Sequence, residues 1–418
     1  MTREEAVELL GLEKLEPCRR GCEIEILVEL PPPGEHHNVR RYGIAIVGGG
    51  YRGLLVSDNT RVPGLIAPRD VLPTVEALDR GEKPPIRSRP DADAAATLAD
   101  LDRRLSEAHD ARGWANAVLV ACIVGLGALA LALRSPFLGR AAVLAGPAVL
   151  LSALLLSALD APSPALLGVL AVAGALAAAR LPLAPVLAGF LLVYGTVLAL
   201  WPDVNSLAIV GPHPDGGGRF YGVTNQVSTL LVVPALLAGA LLAPVGLAAV
   251  AVLALVVVAW SKTGADGGGA LVLAAGFLVL ALRLRGLRLS LGRLALVGAG
   301  AVAVGLVLVV VDALTSGSSH VTRALGSGPV DLAGELAHRA RVSVEGATSS
   351  WHAVLLVVGG IAVLAWLATR RPRSALLDAA LVALAVSLVV NDTPTDVAAF
   401  GALSCAALYV SRRVGAVT

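Results

Sequence analysis

The chain is short of net charge. Its 33 Lys and Arg face 31 Asp and Glu, leaving +2 over 418 residues, a balance that argues against nucleic acid as a partner. Cysteine is scarce too. Of the four, Cys122 and Cys405 fall in apolar stretches and read as small packing residues. Cys18 and Cys22 (CRRGC) either close a local disulfide, if that segment is extracytoplasmic, or remain two thiols. Two cysteines do not make a structural zinc site unless His36 or His37 joins them. A secretory signal peptide is also missing from the start, where MTREEAVELLGLEKLEP is charged and reads as a short amphipathic helix.

Apolar sequence is abundant. Hydrophobic residues make up 56% of the chain and the mean hydropathy is +0.77. Eleven apolar stretches, at 114–133, 139–159, 164–180, 182–201, 224–243, 245–260, 266–282, 291–311, 351–369, 375–390 and 396–411, approach the ~20 residues that cross a ~30 Å hydrocarbon core. The pattern predicts an α-helical polytopic membrane protein of about 11 transmembrane helices, with a small N-terminal α/β fragment. Stretches 245–260 and 266–282 are either two full spans or one re-entrant pair. Residues 1–93 form a water-soluble unit, 94–112 a polar linker helix, and 113–418 the membrane domain. Within the first unit, Tyr42 to Val47 reads as a buried strand and Leu54 to Ser57 as a second. Asp70 is expected to cap a helix over 70–78, and GEKPPIRSRPDAD is expected to be a linker.

Charge sets an expected orientation. The connections carrying Arg134 and Arg140, Arg180, Arg283 to Arg293, and Arg370 to Arg373 are all odd-numbered, and the tail adds Arg412 and Arg413. By the positive-inside rule they are cytoplasmic. The protein then sits in the plasma membrane with its N-terminus extracytoplasmic and its C-terminus cytoplasmic. Four polar clusters fall together on the outer side: Gly211 to Gln226, Ser261 to Gly269, Thr315 to His320 and Asn391 to Asp396. The long connection from Asp312 to Ser350 contains a stretch, from Val330 to Arg341, that reads as an interfacial helix.

The segment IAIVGGGYRG holds G-x-G-x-x-G at Gly48, Gly50 and Gly53 after a strand. A dinucleotide site needs a helix to begin there, so that its N-terminus meets the pyrophosphate. The residues that follow, with Pro63, do not start one.

The polar clusters supply the candidate ligand contacts. Arg219 is the only cation in its Gly-rich loop, and its planar fork suits phosphate or carboxylate. The alternative is a Gly-rich turn with Phe220 and Tyr221 as belt aromatics. Asn225 and Gln226 open a helix, where N–H groups favour an anion. Lys262 and Asp266 are four apart near a span end, and either serve a site or pair with each other. Gly267 to Gly269 permit close helix packing. Asn391, Asp392 and Asp396 bracket Pro394 and form a cation site, an Asp392–Arg219 pair or an ordinary acidic turn. His320 and Arg323 (SSHVTR) offer a further phosphate contact.

The segment from His36 and His37 through Tyr42 to Gly50, Thr60 to Leu65 and Asp70 to Thr74 resembles the C-terminal end of an alkaline-phosphatase-superfamily domain. The resemblance implies a His metal ligand at His36 or His37. It would also imply divalent metals if the domain were complete. Only about 35 residues precede the match, so the nucleophile and most ligands of that family have no counterpart here, and the expectation is either a degenerate remnant or a domain whose first part is encoded elsewhere or lost by a late start at Met1. GGRFYGVTNQ, DGGG, SSHVTRAL and VNDTPTDVAAFGAL resemble signatures of uncharacterised multi-pass membrane proteins of high-GC Gram-positive bacteria that carry such an extracytoplasmic domain. Gln226 departs from an acidic residue in that pattern.

These readings lead to a cell-envelope protein handling a phosphorylated or anionic lipid or glycan at the outer face. The chemistry, if any, would be phosphoryl transfer or hydrolysis by an incomplete phosphatase-like domain. The alternatives are a transporter or flippase and a glycan polymerase or ligase. The bilayer is the expected partner. The sequence leaves open whether the chain is an enzyme.

Overall fold

The computed structural model of the chain describes residues 24–29, 41–214, 219–316 and 341–417. They divide into two compact units. One comprises the described residues up to Asp110 together with those of Pro212–Tyr221. The other comprises Ala111–Gly211 and the described residues from Gly222 onward.

The first unit contains two antiparallel strand pairs. β1 (Ile24–Val28) pairs with β2 (Ile44–Gly48) in a register that sets Ile26 against Ile46. β3 (Leu54–Ser57) pairs with β4 (Ile86–Arg89), setting Leu54 against Arg89. The glycines between β2 and β3 take left-handed φ, +92° at Gly48, +79° at Gly50 and +76° at Gly53. They turn the chain into β3 rather than into a helix, so the geometry of a dinucleotide fingerprint is not formed.

Two expectations for this unit need correction. The Pro-rich segment contains β4, because Ile86 is fully buried and its backbone is claimed on both sides. Its N–H donates to Thr74 Oγ1 at 3.1 Å, and its carbonyl accepts from the Tyr51 hydroxyl at 2.8 Å. Burial also pushes the Tyr51 phenol above its ordinary pKa. Asp70 stands before α1 (Val71–Asp79) but makes no side-chain cap. Its carboxylate is buried instead, accepting from Ser57 Oγ at 2.5 Å and from Asn59 Nδ2. A buried hydroxyl and a part-buried amide outcompete an exposed cap.

The second unit is a helical bundle. α2 (Ala94–Ala132) is continuous across the expected linker-to-membrane boundary. It is followed by α3 (Pro136–Ala158), α4 (Pro164–Ala178), α5 (Leu183–Leu200), the short α6 (Pro202–Ser206), α7 (Asn225–Leu241), α8 (Leu247–Ala259), α9 (Gly267–Leu284) and α10 (Leu291–Ser316). After a helical stretch at 341–348 come α11 (Trp351–Thr369), α12 (Ala375–Val390) and α13 (Pro394–Arg413). Each of the eleven apolar stretches is helical. Among the described residues, six helices are long and apolar enough to cross a membrane: α2, α3, α5, α9, α10 and α11. Four others, α4, α7, α8 and α12, are shorter and apolar. Apolar helices in this number suit a lipid bilayer. Local sequence starts them. Ser135, Ser163, Thr224, Ser350 and Ser374 each accept the N–H three residues on, satisfying one of the donors that a helix start leaves open.

α7 is the hub. It touches α3, α5, α8, α9, α12 and α13, and every residue from Gln226 to Gly239 is buried. α10 and α11 lie at the other extreme, with most of their apolar surface outward: Leu296 is 73% exposed and Leu355 59%. α9 and α12 form an antiparallel pair. The start of α9 meets Asn391 at the end of α12, and Arg283 near the end of α9 meets Asp378 at the start of α12. α8 runs from the end of α7 back to the start of α9, and the two helices pack on each other and on α7.

Candidate functional site

The polar residues of the second unit gather where α7 and α9 begin. The chain enters α7 through Gly222, at φ +86°, where a Cβ would strike the Gly264 carbonyl. The neighbouring Val223 N–H donates to that carbonyl at 2.8 Å. Both the left-handed backbone and the close approach require glycine here. The Gly222 carbonyl accepts from Asn205 Nδ2 at 2.8 Å, and Asn205 Oδ1 accepts from the Tyr194 hydroxyl at 3.3 Å. Asn205 and Tyr194 are both buried. The sequence reading missed Asn205. Its only signal is an amide in the otherwise apolar run after Trp201 and Pro202.

The first residues of α7 reach two other helices. Asn225 Nδ2 donates to Asp392 Oδ1 at 2.7 Å, and Gln226 Nε2 donates to Asn116 Oδ1 on α2 at 2.7 Å. Thr224 caps the helix, its Oγ1 accepting from Val227 N at 3.3 Å. One turn in, Ser228 faces the start of α9. A Cβ on Gly269 would collide with Ser228 Oγ and Asp266 Oδ2, and one on Gly268 would collide with Asn391 Oδ1. These two glycines therefore make room for polar side chains, not only for helix packing.

Asp266 occupies the N-cap position of α9 with extended backbone and is 1% exposed. Its N–H donates to the Val258 carbonyl at 2.9 Å. Asn391, also buried, donates from Nδ2 to Ser387 Oγ at 2.8 Å and accepts at its carbonyl from Ser343 Oγ at 3.3 Å. A further carboxylate joins from α10. Asp312, expected to begin a loop, lies inside the helix, is 8% exposed and accepts from the Ser261 N–H at 3.2 Å. A carboxylate closing an apolar helix was its one visible signal.

The structure sorts the expected residues. Asn225, Asp266, Asn391 and Asp392 come together. Lys262 is exposed, with Nζ 5.6 Å from the Trp260 ring centre. Arg219 belongs to the first unit, whereas Asp392 is held by Asn225 in the second. In the first unit, Tyr221 lies under the Arg61 guanidinium, 4.1 Å from ring centre to Cζ. His36, His320, Arg323, the Cys18–Cys22 pair and most of the expected interfacial helix lie outside the described residues. Among the described residues, no three His, Cys, Asp or Glu side chains come together to hold a metal ion.

Aromatic residues mark the level of this cluster. Trp201, Trp260 and Trp351 stand at the ends of α5, α8 and α11, and Trp114 lies midway along α2, close to Asn116, the partner of Gln226; Trp114, Trp201 and Trp351 are more than half exposed. Tryptophan concentrates at membrane–water interfaces. The fifth, Trp366, lies toward the far end of α11.

A second polar group stands at the far end of the α9–α12 pair, roughly 20 Å away along α12 (Asn391 to Asp378) and about 26 Å along α9 (Asp266 to Arg283) at the rise of an α-helix. Asp378 is buried between two arginines. Arg373 Nε donates to Oδ1 at 2.6 Å, and Arg283 Nε stands 2.8 Å from Oδ2. Arg373 also donates to the Ala368 carbonyl at the end of α11, and Arg283 Nη1 donates to the Leu287 carbonyl at 3.3 Å. These arginines, visible in the sequence as a topology signal, thus also tie three helices together. Comparison with family models, with curated proteins and with solved structures finds no match for the chain.

Proposed function

We propose that the chain is an eleven-span cell-envelope protein with its N-terminal unit and polar cluster extracytoplasmic and its C-terminus cytoplasmic. The cluster handles the polar headgroup of a phosphorylated or anionic lipid or glycan. One observation carries this reading: Asn225, Gln226, Asp266, Asn391 and Asp392 meet at the starts of α7 and α9, at the level of four tryptophans. Carboxylates and amides match sugar hydroxyls. The first N–H groups of the two helices favour a phosphate. Roughly 20 to 26 Å of helix separates the cluster from the arginine group, much of a ~30 Å hydrocarbon thickness. That separation supports opposite faces, and the positive-inside rule names the arginine face cytoplasmic.

A transporter or flippase is the second reading, favoured by α8. Its 13 residues span about 20 Å, short of the ~30 Å core, and it leads into a Gly-rich helix start, as in the interrupted helices of transport sites. Phosphoryl transfer would rest on the resemblance of the N-terminal unit to a phosphatase domain, and the described residues supply no cluster for its metals.

The test is extraction of the protein from bacterial membranes in polymer-bounded discs, followed by mass spectrometry of the retained lipids. Wild type is expected to enrich an anionic or glycosylated lipid over the bulk membrane. Asn225→Ala and Asp392→Ala, made at wild-type levels, are expected to lose the enrichment. A retained profile equal to bulk, the same in all three proteins, would sink the proposal.

A further inference from the structure

The arginine end of the bundle is built as more than a topology signal. Arg283 and Arg373 are largely buried, with side chains 24% and 22% exposed, and both are held by one carboxylate. Asp378 cancels one of the two charges, so the group keeps a net positive charge inside the protein edge. Arg373 donates from Nε to Asp378 and from Nη1 to a backbone carbonyl, while Arg283 is ion-paired to Asp378 and donates from Nη1 to a backbone carbonyl. That leaves the fork geometry fixed and further N–H donors on each guanidinium.

Around it, the connections between α9 and α10 and between α11 and α12 carry Arg285, Arg288, Arg370 and Arg371, all exposed. Arg370 lies over Trp366, 4.3 Å from Cζ to the ring centre, and Trp366 packs edge-on against Tyr409. Aromatic rings under guanidinium groups are what an interface level presents. The helices that lead to these connections, α10 and α11, are the ones with most of their apolar surface outward. A ligand here therefore meets fixed cations at its head and exposed aliphatic side chains below.

We propose that Arg283 and Arg373, preset by Asp378, bind the phosphate of an anionic membrane phospholipid whose chains lie along α10 or α11. Charge complementarity selects this occupant: many arginines surround a single acid, and arginine forks match phosphate oxygens. The inference needs only a bilayer around the bundle, and it holds or fails independently of the ligand at the polar cluster.

The test is native mass spectrometry of the purified full chain in neutral detergent, titrated with phosphatidylglycerol or phosphatidylcholine of identical acyl chains. Phosphatidylglycerol is expected to bind at least about fivefold more tightly. Arg283→Gln and Arg373→Gln are each expected to weaken it about fivefold, the effect of one interfacial cation, and to leave phosphatidylcholine unchanged. If either variant fails to fold, Arg370→Gln/Arg371→Gln, which leaves Asp378 paired, is expected to weaken it by a smaller factor. Excess inorganic phosphate is expected to compete only weakly, since it lacks the chains. Equal binding of the two lipids overturns the proposal. So does a phosphatidylglycerol preference that all these variants retain.

Discussion

The two ends of the α9–α12 pair bury polar groups by opposite means. At one end, amides, hydroxyls and carboxylates share hydrogen bonds: Asn225 with Asp392, Gln226 with Asn116, Asn391 with Ser387. At the other, a single carboxylate is gripped by two guanidiniums. The first arrangement spreads its cost over many modest bonds. The second concentrates charge, so that removing one partner leaves the others exposed to the full desolvation penalty. Small residues shape the first end: Gly222, Gly268 and Gly269 admit backbone and side-chain oxygens where any Cβ would collide. Long cationic side chains shape the second.

If that contrast is right, Asp378→Ala should be the most damaging single change. It strands two largely buried arginines and should cost roughly 3 kcal/mol, read as a lowered unfolding temperature in detergent. A loss no larger than that of a surface variant would show that the arginines reach water without their carboxylate. At the other end, Gly269→Ala drives a Cβ into Asp266 and Ser228 and should cost about 2 kcal/mol. Gly267→Ala, where a Cβ meets nothing within 4 Å, should be neutral or slightly stabilising. Similar behaviour of the two glycine variants would mean that the cluster gives way easily.

Much of this architecture was legible in advance. The eleven apolar stretches are all helical because their length and periodicity leave the backbone little choice in an apolar medium. The Ser and Thr caps were readable for the same local reason. What escaped was decided by particular partners distant in sequence. β4 lies in a segment whose prolines and charges suggest a linker, yet Ile86 pairs with Ser57 of β3 and is fully buried. Asp70 looked like a cap until Ser57 and Asn59 came within reach of its carboxylate. Asp312 looked like a loop residue because its partner, the Ser261 N–H, is 51 positions away. Of the candidate site, Asn225, Asp266, Asn391 and Asp392 were foreseen as one locus. The side chain that reaches Asp392 is the amide that opens α7.

Smaller effects sharpen the comparison further. Asn225→Ala removes one donor from Asp392, which is partly exposed, and should cost about 1 kcal/mol, less than either change above. Loss of several kcal/mol would mean that the polar end is as concentrated as the arginine end. Lys262→Ala removes only an exposed cation–π contact and should shift stability by no more than about 0.5 kcal/mol. A larger shift would give Lys262 a share in the cluster.

The central claim is that these two ends lie on opposite sides of a membrane. Single cysteines at two exposed positions test it directly, in a Cys18→Ser/Cys22→Ser background that leaves only the buried Cys122 and Cys405. With a membrane-impermeant maleimide on intact cells, Lys262→Cys should be labelled, and Arg371→Cys should be labelled only after the membrane is opened. Labelling of both from outside, or of Arg371→Cys alone, would contradict the account.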